Sequence, residues 1–240
     1  IRSMEVIQNQ EAILYVNKHE KEIINQFANP SLYPPSDNPF TIFMAGSPGA
    51  GKTEYSKTFI KEFTSQENSP NVVRIDADRV RDLLHILPQF TKYSSCELQS
   101  ACNKTVSRLF DHVQKHKQNA VVDGTFAHYE ISKKDVERAL NRGRSVGIKY
   151  LYQEPVLAWN FTKEREALEG RNITKDVFID DFFAAKENVD KVKVEFGSKI
   201  ELYLIIKDYR NKEKKSFFNI DKVDHYLKIR YTKEELREML

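Results

Sequence analysis

The chain has 240 residues, of which 40% are hydrophobic and 30% charged, with a formal net charge of +3 at pH 7. This length suffices for one sizeable α/β core with small additions. A net charge this small gives no argument for a nucleic-acid-binding surface, so nucleic acid is not expected among the partners. The sequence contains neither an apolar run as long as a membrane span nor a signal-peptide core, so we expect a cytoplasmic protein without membrane contact.

The chain begins with Ile1–Ser3 before Met4, which we interpret as a remnant of cloning and exclude from the fold. Apolar residues recur at mostly helical intervals over 5–27, and Pro30 and Pro34 then break the pattern. Residues 4–38 are therefore predicted to form an N-terminal helix and a linker packed on the core.

Residues 46–53 carry the strongest functional signal, because an apolar strand precedes them and a helical pattern follows. They match the phosphate-binding P-loop at every fixed position: Gly46, Ser47, Pro48, Gly49, Ala50, Gly51, Lys52 and Thr53. The glycines let the backbone wrap around phosphate oxygens at a helix N-terminus, which predicts a nucleoside triphosphate as the ligand. We expect Lys52 at the β- and γ-phosphates and Thr53 as a ligand of Mg²⁺. The alternative is a glycine-rich turn that binds nothing.

Strands and helices alternate along the rest of the chain. Strands are predicted at 40–45, 71–76, 120–123, 145–152 and 200–206. One helix is predicted from the P-loop to about 65 and another from the end of the second strand to about 87. Further helices are predicted at 95–117, 129–142, 155–169 and 175–195. This rhythm predicts a P-loop kinase domain over 39–240, an α/β three-layer fold with a mostly parallel five-stranded sheet and helices on both faces. The charged run 207–215 is interpreted as a solvated loop, with a position beside the adenine as the alternative.

Acidic residues follow the second predicted strand. Because ligands of parallel sheets bind at the carboxyl ends of the strands, Asp76 and Asp78 are expected to face the same crevice as the P-loop. We assign Asp78 as the general base that accepts the proton of an acceptor hydroxyl during phosphoryl transfer. The alternative is that both carboxylates only begin the next helix, where they cap amides and suit the helix dipole.

Polar residues also follow the strand at 120–123. Asp123 is expected to orient the Mg²⁺ shell, directly or through water, or the substrate, and Thr125 to touch the acceptor. Asp before Gly124 equally suits a turn that bonds its own backbone. Arg165 and Arg171 lie in a predicted lid segment at about 160–176, where arginine forks could meet phosphate oxygens, or could belong to a salt-bridged surface.

These motifs together resemble the zeta toxin family over residues 40–205: the P-loop, Asp76-Ala77-Asp78, Val122-Asp123-Gly124-Thr125 and the two arginines. Members are P-loop kinases of bacterial toxin–antitoxin systems that phosphorylate the 3′-hydroxyl of UDP-N-acetylglucosamine with ATP. The resemblance implies Asp78 as the base, Lys52 and Thr53 at phosphate and magnesium, Arg165 and Arg171 as lid arginines, and an antitoxin protein as a partner. It also places Asp123 and Thr125 at the sugar-nucleotide site.

The chain departs from the family pattern at two substrate positions. Asp123 stands where the family has glutamate, and Asn103 stands where another substrate-binding glutamate is expected. Two alternatives therefore stay open. One is a P-loop kinase for another hydroxyl acceptor, such as a nucleoside, an antibiotic or a polynucleotide end. The other is a protein that binds nucleotide without transferring phosphate, in which Asp78 has no catalytic role.

Overall fold

The structure is a computed structural model that describes residues 9–67, 69–169, 172–210 and 212–240, so that residues 1–3 and Arg171 lie outside the described residues. The helices are α1 (Gln10–Lys18), α2 (Glu20–Ala28), α3 (Lys52–Thr64), α4 (Ala77–His85), α5 (Ser95–Lys115), α6 (Tyr129–Asn141), α7 (Pro155–Glu169), α8 (Lys175–Phe196), α9 (Val223–Tyr226) and α10 (Lys233–Met239). The strands are β1 (Phe40–Ala45), β2 (Val72–Ile75), β3 (Asn119–Val122), β4 (Ser145–Tyr152), β5 (Ile200–Lys207) and β6 (Glu213–Phe217).

The chain divides into two compact units, Ile1–Asp37 with Pro70–Ala120 and Asn38–Ser69 with Val121–Leu240. We call them the first and the second unit. The predicted boundary between residues 38 and 39 stays a prediction. Within the described ranges, no helix combines the length and the apolar character needed to cross a bilayer.

In the first unit, the predicted N-terminal helix is two helices, α1 and α2, which meet at His19. Both contact α5, and α2 also contacts β2. Their buried side chains are Ala12, Val16, Ile23, Ile24, Phe27 and Ala28. On α5, Arg108 donates a hydrogen bond to the Val16 carbonyl at 3.3 Å and pairs with Glu20 at 3.1 Å. The amphipathic pattern at the start of the chain is thus explained by packing on α5.

In the second unit, the strand order is β1-β4-β5-β6. The pairs β1/β4 and β4/β5 are parallel, with Ala45 opposite Tyr150 and Val146 opposite Ile200. Strand β4 is buried along most of its length, as expected for a strand covered on both faces. The parallel register brings the carboxyl ends of β1 and β4 side by side. Strand β1 ends directly before residues 46–53, which match the P-loop pattern.

The predicted count of five strands is wrong, because the described residues contain a sixth strand, β6, which pairs antiparallel with β5. The charged run was interpreted as a loop, yet its end at Glu213–Lys215 belongs to this edge strand. The turn between the strands is built by the Asp208 carboxylate, which accepts the N–H groups of Arg210 and Lys212 at 2.8 and 2.9 Å. An exposed edge strand lacks the apolar alternation by which strands are recognised in sequence.

Candidate active site

The phosphate loop, residues 46–53, joins β1 to α3. Gly46, Gly49 and Gly51 have φ angles of 137°, 73° and 77°, which residues other than glycine rarely adopt. Two of them also lack space for a Cβ atom, which at Gly46 would lie 2.3 Å from the Leu151 carbonyl oxygen and at Gly49 2.0 Å from that of Ala158. Glycine is therefore required here both by the backbone conformation and by close neighbours.

The loop presents the features of an anion site. Gly51, the residue before α3, provides no side-chain cap, so the first amides of this 13-residue helix are available to an anion. The Lys52 ammonium donates hydrogen bonds to the carbonyl oxygens of Gly46 and Ser47 at 2.8 and 2.7 Å. The lysine thus lies across the loop, with its charge over the place where phosphate binds in P-loops.

Asp123 and Thr125 lie beside this loop, in the second unit. The Ser56 hydroxyl of α3 is 3.0 Å from an Asp123 carboxylate oxygen and 3.0 Å from the Thr53 carbonyl. The Gly46 amide donates to the Thr125 carbonyl at 3.0 Å. Ser56 therefore links the Asp123 carboxylate to the backbone of Thr53, the other predicted magnesium residue, and the Gly46 amide joins Thr125 to the start of the phosphate loop.

The backbone after Thr125 is strained and is held from α8. Phe126 has a φ angle of 63°, unusual for a bulky residue, and its ring packs edge-on against Phe43. The Asn188 amide donates to the carbonyls of Phe126 and Ala127 at 3.1 and 2.8 Å. Sequence reasoning missed Asn188, because an isolated asparagine in a helix carries no signal of a distant backbone partner.

Asp181 of α8 is a second residue that the sequence motifs missed. Burial raises the pKa of its carboxyl, and the charges of His128 and Lys52 oppose this rise. An interaction with Lys52 places this carboxyl in the electrostatic environment of the phosphate loop. A carboxyl with a raised pKa near such a loop is a candidate functional group, although structural networks also produce such shifts.

Asp76 belongs to the first unit and has a structural role there. It caps α4 by accepting the Asp78 amide at 2.9 Å, and it forms an ion pair with Arg74 at 2.5 Å. Both side chains of this pair are 9% exposed. The capping role weighed for Asp76 in the sequence is thus observed.

Asp78 lies in the first turn of α4 and is held by Arg81. The Arg81 guanidinium donates to Asp78 at 2.6 Å and to the Gln99 side chain of α5 at 2.6 Å. Gln99 donates in turn to Asn103 at 2.7 Å. The structure therefore links two sequence-predicted site residues, Asp78 and Asn103, through Arg81 and Gln99, which the motifs did not identify.

Arg165 lies half-buried on α7, and Arg171, the other predicted lid arginine, falls outside the described residues. The described part of the chain contains no group of three or more His, Cys, Asp or Glu side chains able to hold a metal ion. The Thr53 hydroxyl and the Asp123 carboxylate nevertheless suit Mg²⁺, which prefers oxygen ligands and usually binds through few protein groups plus phosphate and water.

A strand, a glycine loop and an uncapped helix beside parallel strands define a P-loop nucleotide-binding protein of the α/β class. The sequence model described as zeta toxin matches residues 25–223. The chain belongs to the zeta toxin family, as its motifs predicted.

The chain is similar to one curated relative and, among solved structures, to the two described below. "Toxin PezT" from Streptococcus pneumoniae serotype 4 is 27% identical over 128 residues, which are 52% of this chain and 49% of that protein. The chain thus spans about half the length of the curated relative it matches.

A structure from the PezAT chromosomal toxin–antitoxin system of Streptococcus pneumoniae matches with a TM-score of 0.64 at 20% identity, covering 98% of this chain and 94% of that one. A complex of AvrRxo1-ORF1 and -ORF2 with ATP matches with a TM-score of 0.66 at 15% identity, covering 87% and 70%. At these identities the similarity shows the fold alone, and it confirms the predicted α/β class.

Proposed function

We propose that this protein is an ATP- and Mg²⁺-dependent kinase that transfers the γ-phosphoryl group to a hydroxyl of a UDP-sugar, with the 3′-hydroxyl of UDP-N-acetylglucosamine as the first acceptor to test. The observation that carries the proposal is the phosphate loop, with three glycines at positive φ and an uncapped helix α3, in a chain of the zeta toxin family. The ATP complex of AvrRxo1-ORF1 and -ORF2, a protein pair with a similar fold, supports the choice of nucleotide.

The phosphate loop binds the nucleotide in this proposal. The backbone N–H groups from Ser47 to Lys52, except at Pro48, which has none, donate to phosphate oxygens, and the Lys52 ammonium exchanges its two loop carbonyls for the β- and γ-phosphates. The Thr53 hydroxyl would hold Mg²⁺, and Asp123 would orient the ion's shell directly or through water. The bound ion would supply positive charge that neutralises the phosphates during transfer.

Asp78 acts on the acceptor. Its carboxylate accepts the proton of the acceptor hydroxyl while that oxygen attacks the γ-phosphorus and ADP leaves. Arg81 holds the carboxylate in one orientation, which general base catalysis needs. Asn103, Asp123 and Thr125 bind the sugar nucleotide. Arg165 and Arg171 stabilise the charge on the transferred group, a role that can contribute roughly 10³- to 10⁵-fold in rate.

An antitoxin protein is the proposed partner. A toxin–antitoxin system with a similar structure and the two-component AvrRxo1 complexes support this proposal. Co-expression of the chain with the product of a neighbouring gene, followed by co-purification, tests it. Recovery of the chain alone, with full toxicity to the host cell, would count against such a partner.

The experiment that tests the function is transfer of labelled γ-phosphate from ATP to UDP-N-acetylglucosamine with Mg²⁺. Wild type is compared with Asp78→Asn, and Asp82→Asn, an exposed aspartate on the same helix, is the matched control. We expect product from wild type and from Asp82→Asn, and loss of turnover with retained ATP binding in Asp78→Asn. Activity in Asp78→Asn would remove the assigned base.

A second candidate is a kinase for another hydroxyl acceptor, favoured by Asn103 and Asp123 at positions where the family has glutamate. ATP binding without product on UDP-N-acetylglucosamine would support it, and a panel of nucleosides, antibiotics and polynucleotide ends then identifies the acceptor. A polynucleotide acceptor would show steep salt dependence. Failure across the panel would favour a nucleotide-binding protein without transfer.

A further inference from the structure

The C-terminal residues 229–240 pack on the two helices that follow β4. Leu236 is fully buried in a cluster with side chains of α7 and α8. Its other members include Ala158, Trp159, Phe178, Ile179, Phe182, Ile229, Tyr231 and Leu240. The match to the family model ends at residue 223, before this segment begins. We call residues 229–240 the brace.

The brace is joined to α8 at its solvent side as well as in the cluster. Lys233 pairs with Asp180 at 2.5 Å, and Arg237 pairs with Asp176 at 3.2 Å. Its helix α10 starts with a capping box, in which Thr232 and Glu235 satisfy each other's amides. Tyr231 and Leu236, which flank this box, both join the apolar cluster, an arrangement that fixes the direction in which the chain enters a helix.

Tyr231 connects the brace to the beginning of α7. Its hydroxyl donates to the Glu154 carboxylate at 2.8 Å. The other carboxylate oxygen of Glu154 accepts the Leu157 amide at 3.1 Å, and the Glu154 carbonyl accepts the Ala158 amide at 2.9 Å. One residue therefore caps the first turn of α7 and is itself held by Tyr231.

The first turns of α7 touch the phosphate loop. At Gly49, a Cβ atom would lie 2.0 Å from the Ala158 carbonyl oxygen and 2.7 Å from the Thr162 hydroxyl. Thr162 is 5% exposed and Ala158 is 0% exposed, so no solvent layer separates helix and loop. A displacement of α7 therefore moves a wall of the phosphate loop, and with it Arg165 further along the same helix.

We propose that the brace sets the position of α7 against the phosphate loop and that Tyr231 is a positioning residue for nucleotide binding, acting through Glu154. The proposal rests on the proposed nucleotide-binding function of the loop. Loss of the Tyr231 hydroxyl releases the cap of α7, the helix occupies several positions, and the loop binds phosphate less well. The consequence is confined to ATP affinity and turnover, because the apolar cluster that carries the stability of this region is unchanged.

Trp159 provides the readout, since it is the single tryptophan of the chain, lies on α7 next to Ala158, and packs edge-on against Phe178. ATP with Mg²⁺ is titrated into the whole protein while Trp159 emission is recorded. Tyr231→Phe is compared with Tyr129→Phe, which removes an equal hydrogen bond, from Tyr129 to Glu195 at 2.8 Å. Both tyrosines line the same cavity along α8, but the Tyr129 hydroxyl bonds to Glu195 of α8, whereas the Tyr231 hydroxyl bonds to Glu154 at the start of α7.

We expect ATP affinity to fall roughly three- to tenfold in Tyr231→Phe, the range that loss of one hydrogen bond allows, and to stay unchanged in Tyr129→Phe. The thermal midpoints of the two variants should agree. Adding Tyr231→Phe to Glu154→Ala should lower affinity no further, since the two residues act through one bond.

Equal ATP affinity in Tyr231→Phe and Tyr129→Phe would overturn the proposal, as would fully additive effects of Tyr231→Phe and Glu154→Ala. A variant that loses affinity only in step with its thermal midpoint would show a structural role and would also overturn it. Failure of wild type to bind ATP is a different result, because it refutes the nucleotide-binding function itself.

Discussion

The phosphate loop of the second unit and the Asp76–Asp78 end of β2 in the first unit are built in different ways. The loop is a backbone structure, shaped by glycines at positive φ and by an uncapped helix. The end of β2 is a side-chain structure, in which Arg74 and Arg81 each hold one carboxylate. A backbone site is specified by consecutive residues, whereas a side-chain site depends on partners elsewhere in the chain.

The cations of the two regions differ in the same sense. Lys52 donates to loop carbonyls, neutral partners that a phosphate can replace. Arg81 is 5% exposed on its side chain and donates to a carboxylate and an amide, partners that it keeps. The first arrangement suits a group that must exchange partners on binding a ligand, and the second suits a group that must hold another in place.

The largest effect is expected from Gly49→Ala, which breaks the backbone side of the comparison. The new Cβ would meet the Ala158 carbonyl oxygen at 2.0 Å, on a residue with a φ angle of 73°. Either the loop or α7 has to move, so we expect ATP affinity, measured by calorimetry, to fall roughly 100-fold.

Gly143→Ala is the matched control, since Gly143 has a φ angle of 67° but no atom within 4 Å of the Cβ position. It carries the backbone strain alone, which costs about 1–2 kcal/mol of unfolding free energy and leaves ATP affinity unchanged. If both variants bind ATP equally, the contact between Gly49 and α7 does not shape the loop.

The next effect tests the side-chain region through Arg81→Met. Removing the guanidinium removes the 2.6 Å hydrogen bond that orients Asp78, so turnover should fall roughly 10- to 100-fold with ATP affinity nearly unchanged. Arg81→Lys, which keeps the charge but not the two-sided geometry, should lie between wild type and Arg81→Met. Steady-state kinetics with varied ATP and acceptor separates the two parameters.

Arg138→Met is the control for this variant, because Arg138 and Asp135 form an ion pair with the same helical spacing on α6. We expect it to keep full turnover. A similar loss of turnover in the two variants would mean that the Arg81–Asp78 pair has only a structural role.

A smaller effect concerns Lys149 of β4, which lies against the helix that follows the phosphate loop. Its ammonium is 4.8 Å from the ring centre of Phe59 and 4.6 Å from that of Tyr203. Burial lowers the pKa of Lys149 below 10.5, against the opposing charges of Glu213 and Glu201. Between the lowered pKa and 10.5 the unfolded chain binds more protons than the folded one, so stability rises with pH over this range.

Lys149→Met removes this titrating group. We expect the free energy of unfolding to increase by roughly 1 kcal/mol at pH 7, as found when apolar residues replace buried charges, and the gain to shrink as the pH approaches 10.5. Urea unfolding at several pH values measures it. Lys191→Met, at an exposed lysine on α8, should change little. A gain independent of pH would contradict the explanation by burial.

The last prediction sharpens the comparison through the reactivity of two thiols in the first unit. Cys102 of α5 is 0% exposed, and burial raises the pKa of its thiol to about 11, whereas Cys96 is exposed. Iodoacetamide at pH 8 should therefore modify Cys96 roughly 100-fold faster, as peptide mass spectrometry would record. Comparable rates would mean that the packing between α4 and α5 opens readily. An increase at Cys102 in Arg81→Met alone would show that Arg81 keeps it closed.

Much of the fold was predictable from periodicity. Strands β1 and β4 were predicted at their observed bounds, 40–45 and 145–152, because a buried strand is a continuous apolar run between breakers. The edge strand β6 and the break at His19 were not predicted, since both are polar segments whose structure depends on neighbours. The roles of the candidate site residues stay predictions.

The sequence by itself determined the phosphate loop, because its conformation needs glycine at Gly46, Gly49 and Gly51 and a helix directly after it, all within eight consecutive residues. It also determined the family and the order of strands and helices from β1 to β5. Only the tertiary structure decided the partners of the loop and of the acids: Ser56 with Asp123, α7 against Gly49, and the Arg81 link from Asp78 to Gln99. The reason is physical, since backbone conformation is a local property, whereas contacts between side chains distant in sequence exist only once the chain has packed.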